Sequence, residues 1–210
     1  MDVQQSRRER KRARTRDAVL CAAQRLFFEQ GYDRTTIEDV ARAADVAVQT
    51  VFNHVASKEE LFFADRTPYA DAILVPVVPA PGQTCAEALV ELMTGATVGY
   101  LASLQDPVLL DMTAQIEATP ALTRYERAIL TRTETGLAAS LCAAGLTRRP
   151  QWTAALLLAT TRVVSIEHRQ RILVGLGDGE TVSELAADLR RDLHVVLDAT
   201  ARGVRQVQPA

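Results

Sequence analysis

Aromatic side chains make up only 5% of the 210 residues, and the chain has three cysteines and ten glycines. Sheets draw on aromatic and β-branched residues, whereas the alanine and leucine that dominate here favour helix. The expected class is all-α. Cys21, Cys85 and Cys142 are odd in number and far apart, which argues against a disulfide framework or a zinc site. Each lies in an apolar helical context, so core thiols are expected. No apolar run reaches the roughly 18 uncharged residues of a membrane span, and the basic N-terminus does not lead into the apolar stretch of a signal peptide. A cytoplasmic protein with no membrane partner is expected. His54, His168 and His194 do not cluster with cysteine or carboxylate at ligand spacing, and glycine-rich phosphate loops and nucleophile motifs are missing. The expectation is therefore a protein without metal, cofactor or enzymatic activity.

Net charge is −2, which by itself argues against a nucleic-acid partner. The distribution reverses that. Residues 6–16 carry Arg7, Arg8, Arg10, Lys11, Arg12, Arg14 and Arg16 against Glu9 alone, and the remainder is acidic. Such a concentration suits phosphate attraction with counterion release, or insertion of arginine into a minor groove. Residues 1–14 are expected to form a basic disordered arm.

A first helix is expected from about Thr15 to Gln30, with Val19, Ala22, Ala23, Leu26 and Phe27 as its inward stripe and Gly31 as its C-terminal stop. Residues 35–61, TTIEDVARAADVAVQTVFNHVASKEEL, then read as two short helices joined by a tight turn, followed by a capped third helix. Thr35 and Glu38 have capping-box spacing, and Ile37, Val40, Ala41 and Ala44 recur at helical intervals. Asp45 tolerates a left-handed backbone at the turn, and Val46 is an apolar plug. From Val48 a second helix can turn Val51 and Val55 inward, leaving Gln49, Thr50, Phe52, Asn53 and His54 outward. Ser57 and Glu60 form another capping box, with Lys58 in the first turn. A lysine there opposes the helix dipole unless an anion such as phosphate sits at that helix end.

Beyond this segment, VPVVPAPGQ at 75–83 is a connection that cannot be regular helix. Thr84 with Glu87 caps a long helix to about Leu104, in which Gly95 and Gly99 have a spacing suited to close packing. Asp106-Pro107 and Thr119-Pro120 start two more helices, Gly145 ends the second, and a largely apolar helix covers about Pro150–Val174. Thr181 with Glu184 caps a final helix whose stripe of Leu185, Leu189, Leu193, Val196 and Thr200 requires a partner. About nine helices result. The expected domains are a helix-turn-helix over 15–56 and a helical ligand-binding and dimerisation domain over 57–210.

This pattern resembles the TetR family of transcriptional repressors, by motif over the first 61 residues and by helix count and length over the rest. LFFEQGY at 26–32 matches the end of the family's first helix, and Thr36, Val46, the reading helix Val48–His54 and Lys58 follow in the family's order and spacing. There are departures. Asp45 stands for the usual turn glycine, Ala47 for a serine or threonine cap, Gln49 for a small residue, Phe52 for a tyrosine and Val55 for a phenylalanine. The resemblance implies a dimeric, ligand-released repressor on a palindromic operator of double-stranded DNA, although binding alone leaves activation open. It also implies a homodimer through the last two helices and an unidentified small-molecule effector.

Gln49 and Asn53 are the best base-reading candidates, because a side-chain amide can bind adenine N6 and N7 together. Val48, Thr50, Phe52, His54, Thr36, Lys58, Arg14 and Arg16 complete the expected DNA surface, with Thr36 capping the second helix. Met93, Tyr100, Met112, Gln115, Trp152 and Arg162 are the expected effector-binding residues, mixing flexible apolar surface with polar handles. Leu185, Leu189, Leu193 and Val196 are the expected dimer interface. An enzyme or a protein-interaction module in which the helix-turn-helix is purely structural are the competing readings.

Overall fold

A computed structural model describes residues 3–64, 68–74, 77–175 and 182–202. All regular structure among them is helical: α1 (Val3–Gln30), α2 (Ile37–Ala43), α3 (Val48–Phe52), α4 (Lys58–Phe63), α5 (Pro68–Ile73), α6 (Cys85–Ser103), α7 (Pro107–Ala118), α8 (Pro120–Ala143), α9 (Pro150–Leu173) and α10 (Val182–Arg202). None is long and apolar enough to cross a membrane. The chain divides into two compact units, Met1–Thr67 with Asp111–Tyr125, and Pro68–Leu110 with Glu126–Ala210. The first unit thus reaches past the expected boundary at residue 56 and takes in α4 and a distant segment.

The first unit is built on α1, α2 and α4. Val19, Ala22, Ala23 and Phe27 of α1 are buried, and Leu20 joins them. Its centre is aromatic despite the scarcity of such residues: Phe62 lies 5.1 Å from Phe27 and 5.6 Å from Tyr32 between ring centroids, and Phe63 stacks on Tyr125 at 5.4 Å. Each of these pairs contributes about 0.5–1.5 kcal/mol beyond the area it buries. The arm differs from expectation, because α1 begins at Val3 and residues 3–14 continue it as helix. Arginine and lysine are good helix formers, so a basic run without proline or glycine extends a helix already nucleated by its buried half.

In the second unit one core joins Leu89 and Met93 of α6, Leu137 and Leu141 of α8, Leu157 of α9, and Leu189, Leu193 and Leu197 of α10. Leu185 packs with Leu101 and Leu104 in a smaller cluster. The α10 stripe therefore has its partner within the chain. Leu185, Leu189 and Leu193 are buried and Val196 is half-buried, so they are not a free dimer face. Periodicity showed that the stripe must be covered, but not by which surface.

Other expectations also change. Cys21 and Cys142 are exposed and Cys85 is half-exposed, because the inward positions of their helices are filled by larger apolar residues such as Leu20, Phe27 and Leu141. The space beside Gly95 and Gly99 is open, so their spacing reflects no close approach. Thr84 and Glu87 form the expected reciprocal box. The proposed box at Thr181 lies outside the described residues.

Candidate nucleic-acid interface

Local chemistry sets the recognition segment. The cap of α2 is Thr36, one residue later than the Thr35 spacing suggested: its hydroxyl accepts from Asp39 N at 3.1 Å, and Asp39 Oδ2 accepts from Thr36 N at 3.1 Å. Thr35 is unavailable because its side chain turns inward and donates to the Gly31 carbonyl at 2.9 Å. The Thr36 hydroxyl and backbone N–H hold the Asp39 carboxyl below the usual range, with Arg42 helping.

The turn after α2 is a Schellman motif. Val46 N donates to Ala41 O at 2.9 Å and Asp45 N to Arg42 O at 3.3 Å, with Asp45 left-handed at φ 52°. Glycine would adopt this conformation without strain, and aspartate is among the few other residues that tolerate it. The chain thereby turns at once into α3. Its N-cap, Ala47, makes no side-chain cap bond.

On α3, Val51 is fully buried and Val55 just after it is 5% exposed, which fixes the rotation of the helix. Gln49, Phe52 and Asn53 are exposed, while Val48, Thr50 and His54 are half-buried. Gln49 Nε2 reaches Asn53 Oδ1 at 3.5 Å, so the two amides share one face. The helix ends at Phe52 with Asn53 as its C-cap, and His54 lies beyond it rather than inside a helix running to 54. Phe52 leaves 47% of its surface exposed without a hydroxyl to solvate.

Ser57 caps α4 by accepting from Glu60 N at 3.1 Å, but the Glu60 carboxylate reaches past Ser57 to Ala56 N at 2.6 Å. Lys58 follows, with Nζ 4.0 Å from the centroid of Tyr32. Burial pushes its pKa down while Asp33 and Glu59 oppose that. Tyr32 Oη donates to Glu59 Oε1 at 2.7 Å, and burial, reinforced by Glu59, raises the phenol pKa. Sequence reading missed this Tyr32–Lys58–Glu59 group, since nothing local links residue 32 to 58. Arg14 is exposed and Arg16 half-buried on α1.

The six expected effector residues are divided between the two units. Met112 and Gln115 belong to the first unit; Met93, Tyr100, Trp152 and Arg162 belong to the second. Met93 is fully buried among leucines. Trp152 is 49% exposed beside Arg149, and Arg162 is exposed, so neither lines an interior. Gln115 is committed to backbone groups of the first unit. Tyr100 borders a largely buried guanidinium: Arg169 Nη1 lies 3.0 Å from Glu126 Oε1 and 3.5 Å from Tyr100 Oη. Burial works against the Arg169 charge, but Glu126 and Tyr100 together outweigh it and raise the guanidinium pKa. Residues 126 and 169 stand on different helices with no motif between them, which is why the pair was not foreseen.

A bundle carrying two helices across a tight left-handed turn, with exposed amides on the second, defines a helix-turn-helix protein. Residues 19–64 match the family model described as bacterial regulatory proteins, tetR family. The chain is 34% identical over 123 residues to the HTH-type transcriptional regulator TcmR of Streptomyces glaucescens, which covers 55% of this chain and 53% of that protein. It thus spans about half the length of the curated relative it matches. A TetR-family regulator from Streptomyces coelicolor has the same fold, with a TM-score of 0.62 at 17% identity over 89% of this chain and 96% of the other. The flavonoid-responsive regulator FrrA is similar at a TM-score of 0.57, with 25% identity over 89% and 97% of the two chains. Residues 19–64 are thus a tetR-family regulatory segment, and the chain as a whole has the fold of the tetR-family structures.

Proposed function

We propose that this protein is a sequence-specific DNA-binding transcriptional regulator, acting as a ligand-released repressor that binds a palindromic operator as a homodimer. The observation that carries this reading is the α3 surface. Two buried valines orient a helix that leaves Gln49, Phe52 and Asn53 exposed, with the two amides side by side on one face. Amides read adenine in the major groove, Lys58 and the arginines of α1 neutralise phosphate, and Thr36, Val48, Thr50 and His54 line the same approach. Because residues 3–14 are helical, the basic segment is assigned to phosphate attraction rather than to minor-groove threading.

The dimer face is reassigned from the buried α10 stripe to the outer surfaces of α9 and α10. Trp152 and Val163 of α9 and Val174 at its C-cap repeat every eleven residues and are 49%, 50% and 68% exposed, and Val195 of α10 is 60% exposed. A second copy would cover them. Two-fold symmetry then places the half-sites about 34 Å, or a multiple of it, apart. For the effector, Tyr100 with Arg169 and Glu126 supplies polar handles beside Leu101, Leu104 and Leu185.

Gel-shift titration against DNA upstream of the protein's own gene tests the reading. Binding there at physiological salt should be at least about 10³-fold tighter than to random duplex. Equal affinity for both would reject it in favour of an interaction module, and turnover of a bound small molecule would restore the enzyme reading.

A further inference from the structure

Gln115 is placed where no effector is needed to explain it. Its Oε1 accepts from Tyr32 N at 2.7 Å, and its Nε2 donates to Phe27 O at 2.9 Å and to Asp111 Oδ2 at 2.7 Å. Phe27 O and Tyr32 N are the two backbone groups that flank the end of α1. Gly31, left-handed at φ 83°, turns the chain out of the helix there, so the Tyr32 N–H leaves the helical ladder and needs another acceptor. A primary amide is the neutral side chain that offers a carbonyl acceptor and N–H donors in one plane, and so it answers both groups at once. Asp111, one turn earlier on α7, accepts from the same nitrogen and thereby fixes which way the amide faces. The two backbone bonds span 83 and 88 residues of sequence, and all three partners lie in the first unit.

We propose that Gln115 is a positioning residue for DNA recognition. It clips the α1–α2 corner, and with it the Thr36 cap and the reading helix, to α7. Helix α7 is unbroken from Pro107 to Ala118, and its residues up to Leu110 cluster with the second unit. Release of the clip frees the α1–α2 corner and lets the reading helix leave its operator register. This inference rests on the regulator reading proposed above.

The test uses the full chain, an operator fragment selected with the wild-type protein, and two variants. Gln115→Leu keeps the side-chain size and removes the amide. Gln115→Glu keeps the acceptor for Tyr32 N, loses the donor to Phe27 O, and sets a second carboxylate beside Asp111. In Gln115→Leu the amide of Tyr32 should exchange with solvent at least about tenfold faster. Operator affinity should fall about tenfold, and affinity for random duplex should stay unchanged. Gln115→Glu should bind weakly at about pH 8 and approach wild-type affinity at about pH 5.5. There the new carboxyl, its pKa raised by Asp111, regains a proton to donate. A merely structural role would leave the wild-type to variant ratio flat across pH. Should Gln115→Leu fail to fold, that ratio for Gln115→Glu decides. Variants that keep operator affinity within twofold of wild type at every pH overturn the inference alone. Wild-type protein that prefers no upstream fragment overturns the regulator reading and this inference together.

Discussion

The two compact units use their sequences differently. In the first, the informative positions are short-range: Thr36 with Asp39, the left-handed Asp45, Ser57 with Glu60, and two valines four apart. In the second, they are long-range: the α10 leucines meet α6, α8 and α9, and Arg169 meets Glu126. The first unit turns Gln49 and Phe52 of its shortest helix, and the C-cap Asn53, outward. A unit organised around its own core uses its strongest apolar stripe internally. The amphipathic face most visible in the sequence is thus the one least available to a partner.

Core truncations give the largest expected effects and separate the two arrangements. Phe62→Ala should cost about 3–5 kcal/mol and abolish operator binding, because it empties the centre of the aromatic cluster. Leu193→Ala should cost about 2–5 kcal/mol, with a melting-temperature drop independent of protein concentration. A loss that disappears as concentration rises would return Leu193 to a subunit interface and break the contrast between the units.

The partly buried ion pair comes next. Arg169→Met should destabilise the second unit by about 1–3 kcal/mol, since it leaves a half-buried Glu126 without its partner, whereas replacing both with apolar residues should recover most of that in thermal or denaturant melts. If the single and double variants melt alike, the pair carries no coupling. Deleting residues 1–13 should leave melting of the second unit unchanged. It should weaken operator binding and flatten the dependence of log K on log salt, by about 0.9 for each phosphate that is no longer neutralised. An unaltered salt slope would show that residues 35–61 suffice.

Much of the first unit is legible because its determinants are local. The end of α1 at Gly31, the turn at Asp45 with Val46 behind it, the bare cap at Ala47 and the inward Val51 and Val55 follow from residue types at fixed offsets. The cap at Thr36 rather than Thr35 was less clear, because adjacent threonines both have a plausible acid three residues on. The choice was made by a tertiary contact from Thr35 to Gly31. The same limit hid Tyr32 with Lys58 and Glu59, the task of Gln115, and the burial of the α10 stripe. These depend on which surfaces meet, and periodicity records only that a face is apolar.

The smallest predicted effect concerns that local box. Thr36→Ala should cost about 1 kcal/mol. The Asp39 carboxyl is held below its ordinary pKa by Thr36, so its contribution is present above the unfolded value, about 3.9, and is lost as pH falls through the lowered folded value. Melting of the first unit should show this acid-side loss in wild type and much less of it in Asp39→Asn. Identical acid profiles would show that the box adds nothing.

The central claim is that the exposed amides of α3 read DNA bases. The direct measurement is the ratio of operator to random-duplex affinity, at one salt concentration, for wild type and for the double variant Gln49→Ala, Asn53→Ala. Removing two base contacts worth about 1–3 kcal/mol each should lower that ratio by at least about 30-fold while random-duplex affinity holds. A ratio unchanged by the double substitution would contradict the account.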